Sequence, residues 1–168
     1  MTITRDHPWV GEPQENPLVV GIEADQDPRV LHRARSLAEQ LRTGMLCVWV
    51  DPGHVVASAE MAGAGTVPVA PDQDGTDTTE AEGALIDHVQ RQLEGREVSW
   101  RFVYTAGEVA RGLSRVAREY QAPMMVVGSR RPGFAGWMNE LIGGSVGGHL
   151  AHTQDIPVLV VPLPAPRD

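Results

Sequence analysis

The residues best suited to chemistry lie in two glycine-bearing turns of the C-terminal third. Gly128-Ser129-Arg130-Arg131-Pro132-Gly133 follows an apolar run, and Gly143-Gly144-Ser145-Val146 opens a helical pattern further on. Glycine lets the main chain approach an anion closely, and the first N–H groups of a helix favour a phosphate there. Ser145 would cap that helix and add a hydroxyl donor. Arg130 and Arg131 would add fixed positive charge suited to phosphate oxygens. The same glycines also serve as plain turns and Ser145 as a plain cap, so spacing alone leaves both readings open.

Other chemistry-bearing groups carry less. Asp25 and Asp27 are candidates to hold Mg²⁺ beside phosphates, but Asp27 before Pro28 is better read as a helix N-cap with proline at the first helical position. His149 and His152 are three apart with no third ligand at metal-binding spacing, which favours surface or packing roles. Cys47 is the only cysteine and lies in the apolar run 45–50. It reads as a buried thiol rather than a nucleophile, and one cysteine forms no internal disulfide.

All 14 basic residues are Arg; Lys is absent. A phosphate loop ending in Gly-Lys-Ser/Thr and a Schiff-base lysine are therefore excluded. Glu23-Ala24-Asp25 follows the first strand where a dinucleotide dehydrogenase would carry Gly-x-Gly-x-x-Gly, and no Gly-x-Ser-x-Gly elbow of an α/β-hydrolase occurs. The net charge of −8 disfavours long nucleic acids and anionic membranes as partners. No stretch nears the ~20 apolar residues that span a bilayer, and the N-terminus lacks a signal-peptide pattern. The expectation is a cytoplasmic, soluble chain.

The elements that must position these residues alternate along the chain. Residues 1–16 and 164–168 read as flexible tails around one domain over 17–163. Leu18 to Ile22, Leu46 to Val50, residues 98–104, Met124 to Val127 and residues 156–161 are strand-length apolar runs, as expected for strands buried on both faces of a parallel sheet. Helical spacing joins Val30, Leu31, Ala34, Leu37, Ala38 and Leu41, ending at Gly44. A Thr79–Glu82 capping box opens a second helix with Ala81, Leu85, Val89 and Leu93, and Gly107-Glu108 opens a third with Val109, Leu113, Val116, Ala117 and Tyr120. A fourth helix is expected over 145–152, and residues 52–78 read as a long mobile loop. The fold class is α/β: an open five-stranded parallel sheet with helices on both faces, a three-layer sandwich. Ligands in such sheets sit beyond the carboxyl ends of the strands where the winding reverses, which directs attention to residues 23–27, 49–51 and 128 onward.

Residues 123–129, Gly144-Ser145-Val146 and Pro157-Val158-Leu159-Val160-Val161-Pro162 resemble the universal stress protein family, as do the strands ending at Glu23 and Asp51. The resemblance covers most of residues 17–162. It implies strand order 3-2-1-4-5 and an adenine nucleotide as ligand, ATP ahead of AMP or a cyclic form, with Mg²⁺ as a companion. It implies phosphate contacts from Gly128, Gly144, Ser145 and Val146, and Ser129, Arg130, Arg131 and Gly133 of the same loop complete the candidate phosphate site. Ile22, Glu23, Trp49 and Asp51 fall on the adenine and ribose side, Glu23 standing where the family has Asp. Two departures accompany this: Arg131 occupies the second glycine's place, with Gly133 or Gly136 as substitutes, and the loop runs three residues longer before Gly144. The implied role is a stress-response regulator or sensor with slow hydrolysis at most, dimeric through residues 157–161. A ligand-free dimeric interaction module of the same fold is the alternative, and Trp49 has core packing as its own alternative.

Overall fold

The computed structural model describes residues 4–52, 54–56, 66–68, 78–128 and 155–163. In chain order the elements are β1 (Thr4–Asp6), β2 (Leu18–Gly21), α1 (Pro28–Leu41), β3 (Met45–Asp51), β4 (His54–Val56) and β5 (Thr66–Pro68). Then follow α2 (Thr78–Leu93), β6 (Trp100–Ala106), α3 (Val109–Glu119), β7 (Met125–Gly128) and β8 (Val158–Val161). The main sheet has the order β1-β6-β3-β2-β7-β8. Its last five strands are parallel and reproduce the expected 3-2-1-4-5 order. The sixth does not belong to that pattern: β1 pairs antiparallel with β6, Arg5 opposite Tyr104.

The alternation of side chains along each strand builds two cores. Leu18, Val20 and Ile22 on β2 and just beyond it, with Met45 and Cys47 on β3 and Trp100, Phe102 and Tyr104 on β6, meet α1 and α2. Val19, Leu46, Val48, Val50, Val103, Met125 and Val127 point the other way and meet Ala110, Leu113, Val116 and Ala117 of α3. Period-2 alternation inside continuously apolar runs is what a sheet covered on both faces requires. Cys47 lies in the first core, fully buried, and that burial pushes its thiol pKa far up, so it acts as a small apolar side chain. Helix α3 approaches β3 very closely: a Cβ on Gly112 would lie 2.7 Å from a methyl carbon of Val50. Only hydrogen fits there.

The helix starts follow local chemistry. Asp27 caps α1, its side chain accepting from the Arg29 N–H at 2.9 Å, with Pro28 next. Glu108 caps α3, accepting from the N–H groups of Ala110 and Arg111.

Three expectations need correction. Residues 4–6, assigned to a loose tail, form the antiparallel edge strand; its Arg5 and Asp6 side chains are exposed and pair with polar groups of α2, β6 and Tyr120. Within the expected loop 52–78, β4 and β5 pair antiparallel, His54 with Pro68. The Thr79–Glu82 capping box does not form as such: α2 begins at Thr78, and Glu82 turns into the protein, where the residue is 4% exposed and its carboxylate meets Arg5 and His7.

Candidate functional site

Strands β3, β2 and β7 lie side by side, so their carboxyl ends bring several sequence-predicted residues to one edge of the sheet. Ile22 follows β2, buried, with its N–H on the Val48 carbonyl at 2.8 Å. Glu23 comes next and is half-buried. Trp49 and Asp51 end β3 beside it. Gly128 ends β7 on the other side. The winding reverses between β2 and β7, because the chain moves outward from β2 to β3 and β6 on one side and then returns to β7 and β8 on the other.

Hydrogen-bond direction along β2 shows what this edge offers. Both main-chain groups of one residue in a parallel strand face the same neighbour, and successive residues alternate. Leu18 and Ile22 donate to Gly44 and Val48 toward β3, whereas Val19 donates to Met124 toward β7. Gly21 therefore faces β7. On β7, Met125 donates to Pro157 toward β8, so Gly128 turns its N–H toward β2. The β2–β7 ladder nevertheless ends at Val20 opposite Val126, while β7 continues beside β8 to Gly128 opposite Val161. The two strands diverge just where a carbonyl from one and an N–H from the other face the gap.

Gln26, which sequence reasoning did not single out, occupies that gap. Its Nε2 donates to the Gly21 carbonyl at 2.7 Å, replacing the missing ladder bond. No periodicity, cap or motif distinguishes a glutamine at this position; only the divergence of β2 from β7 gives it a role. Asp25 just before it takes a left-handed backbone conformation, φ 52°, which folds the turn back on the strand.

Trp49 packs edge-on against Tyr104, ring centroids 5.2 Å apart, on the α1–α2 side of the sheet. The Tyr104 hydroxyl is 3.4 Å from Asp51 Oδ2, and the Arg5 guanidinium lies 4.2 Å over the Tyr104 ring. The end of β3 is thus braced by aromatic and polar neighbours from β6 and β1. At Gly128 a Cβ would lie 3.1 Å from both Val30 and Leu163 side chains, so a larger residue there would have to push the methyl groups of α1 and of the segment after β8 aside.

Ser129, Arg130, Arg131, Gly133, Gly144, Ser145 and Val146 lie outside the described residues, as does the helix expected over 145–152. Asp27 serves as the α1 cap, and Asp25 stands exposed on the turn. Among the described residues no three His, Cys, Asp or Glu side chains gather as a metal site would need, and no helix is long and apolar enough to cross a membrane.

The universal stress protein family model matches residues 16–162. Among solved structures, a universal stress protein in complex with cAMP is 20% identical, covers 88% of this chain and 97% of that one, and superposes with a TM-score of 0.56. A universal stress protein family member from Burkholderia pseudomallei is 22% identical over 88% and 97% of the two chains, TM-score 0.55. The universal stress protein UspA from Lactobacillus plantarum is 12% identical over 88% and 98%, TM-score 0.53. At these identities the likeness lies in the fold. No curated protein matches the sequence.

Proposed function

The chain belongs to the universal stress protein family, and on that premise we propose that it binds an adenine nucleotide across the carboxyl ends of β3, β2 and β7. The observation that carries this reading is the early end of the β2–β7 ladder at the reversal of winding: Gln26 takes up the Gly21 carbonyl, which releases the Gly128 N–H from its ladder bond. The reversal of winding is where open α/β sheets take ligands. The solved structure with cAMP, cited above for its fold, adds that this fold accommodates such a ligand in at least one relative. In this reading the base lies beside Ile22, Glu23, Trp49 and Asp51. The phosphates rest on main-chain N–H groups at Gly128, Gly144, Ser145 and Val146, with Ser129, Arg130, Arg131 and Gly133 around them. Mg²⁺, if taken with ATP, would meet Asp25. The protein acts as a cytoplasmic stress-response sensor: a bound nucleotide changes the surface that partner molecules meet. Hydrolysis is slow in this reading, because the sequence offers no evident general base or water-positioning residue for it.

Calorimetric titration with ATP, AMP and cyclic AMP tests the reading. Binding of at least one is expected, weakened about tenfold by Ser145→Ala and abolished by Gly144→Val. Binding untouched by Gly144→Val would move the site elsewhere.

A second reading concerns assembly. Among the described residues strand β8 is the outer strand on its side of the main sheet, and Leu159 on it is 38% exposed. An apolar edge strand left open favours pairing with a second copy, so the protein is proposed as a homodimer through residues 157–161. In the extreme form of this reading the dimer is an interaction module with no ligand, and the same titration separates the two.

A further inference from the structure

Gln26 carries an atom that the fold leaves unused. The residue is 6% exposed. Its Nε2 is committed to the Gly21 carbonyl, which fixes the orientation of the carboxamide, yet its Oε1 is buried with no hydrogen-bond partner. A buried acceptor without a donor is uncommon in native proteins, and each such case calls for a physical reason. The packing of the strand does not supply one. The turn around Gln26 passes through a left-handed backbone at Asp25, a conformation aspartate tolerates. The orphaned acceptor is therefore the local cost that calls for a reason, and it lies beside the end of β2.

We infer that Gln26 is a specificity residue whose Oε1 accepts a hydrogen bond from a ribose hydroxyl of the bound nucleotide. The inference rests on the nucleotide reading above. With the base against β2 and β3 and the phosphates toward Gly128 at the end of β7, the sugar falls between the ends of β2 and β7, beside Gln26. Oε1 requires a donor. At neutral pH a phosphate diester has none and a monoester few, and the adenine amine belongs to the base at the other end of the nucleoside. The ribose hydroxyls are the donors at the right place. Gln26 then has two tasks: Nε2 holds the end of β2 through Gly21, and Oε1 reads the sugar.

The test compares AMP, 2′-deoxy-AMP and 3′-deoxy-AMP by calorimetry on the full chain and on Gln26→Met, which keeps side-chain length and removes both polar atoms. The unsubstituted protein should bind AMP about tenfold more tightly than one of the deoxy forms. In Gln26→Met that preference for AMP should disappear, over and above any loss common to all three nucleotides from removal of the Nε2–Gly21 bond. Equal loss for all three nucleotides would assign Gln26 a purely structural role and overturn the inference. So would equal affinity for all three in the unsubstituted protein, a result that stands even if the variant fails to fold. Absence of binding by any of them would instead sink the nucleotide reading, and the inference with it, a distinguishable outcome.

Discussion

The two edges of the sheet are built on opposite principles. At the β6 edge the chain closes its own sheet. β1 adds an antiparallel strand, His7 donates its main-chain N–H to Phe102, and Val10 and Trp100 exchange a pair of main-chain bonds. The side chains of this segment then divide between the two faces. Arg5 and His7 reach Glu82 of α2 at 2.5 and 2.6 Å, while Asp6 meets Arg101 at 3.2 Å and accepts from the Tyr120 hydroxyl at the end of α3. At the other edge β8 pairs with β7 alone among the described residues, and its exposed side chain is a leucine. A polar, clamped edge resists pairing with other chains; an apolar, open one invites it. The two sides of the sheet thus differ in character: one is polar and held by ion pairs, the other apolar.

The sharpest way to break this contrast is at Glu82, because its carboxylate is buried while its partners are half-exposed. Arg5→Ala together with His7→Ala leaves that carboxylate without a cation. The expected loss is about 2 kcal/mol, below the full cost of a broken buried pair because solvent screens the exposed partners. Urea unfolding measures it, and adding Glu82→Leu should recover most of the loss. An unchanged urea midpoint would mean that main-chain pairing alone closes this edge.

Tyr120 tests the other face of the same clamp. Burial, then the hydrogen bond and charge of Asp6, raise its hydroxyl pKa above the ordinary value near 10. A raised folded-state pKa means that the stabilisation is complete below about pH 10 and disappears as pH climbs through the folded-state value. Tyr120→Phe should cost about 1 kcal/mol at neutral pH and abolish this alkaline loss, which stability curves at rising pH would reveal. A variant with the same alkaline slope would show that other groups cause it.

The smallest effect on stability belongs to the open edge. Leu159→Arg replaces an exposed side chain and should shift stability by less than about 0.5 kcal/mol. Its effect on association should be large: light scattering is expected to find a dimer before the change and a monomer after it. A dimer that survives the substitution would place the contact elsewhere.

What could be seen in the residues follows from how each element gains its stability. The five parallel strands were legible because four of them are buried on both faces and the fifth, β8, is an unbroken apolar run. Helix α1 was legible because Asp27-Pro28 and the spacing of Val30, Leu31, Ala34 and Ala38 are local signals. β1 was not, since Thr-Arg-Asp carries no strand signature and is held by groups 77 to 114 residues away. Glu82 misled for the same reason. A carboxylate three residues after Thr79 satisfies a local capping pattern, but Arg5 and His7 bind it more effectively from the far end of the domain.

The candidate site divides along the same line. Sequence alone determined that the chain is an α/β domain of this family and that Ile22, Glu23, Trp49, Asp51 and Gly128 fall at strand ends, because short-range patterns of burial encode strands and their order in the chain. Tertiary structure decided that β2 and β7 diverge before their last residues and that Gln26 fills the opening, and it alone showed which edge is clamped. Those outcomes depend on which strand lies beside which, and on hydrogen bonds between residues whose proximity no local pattern records.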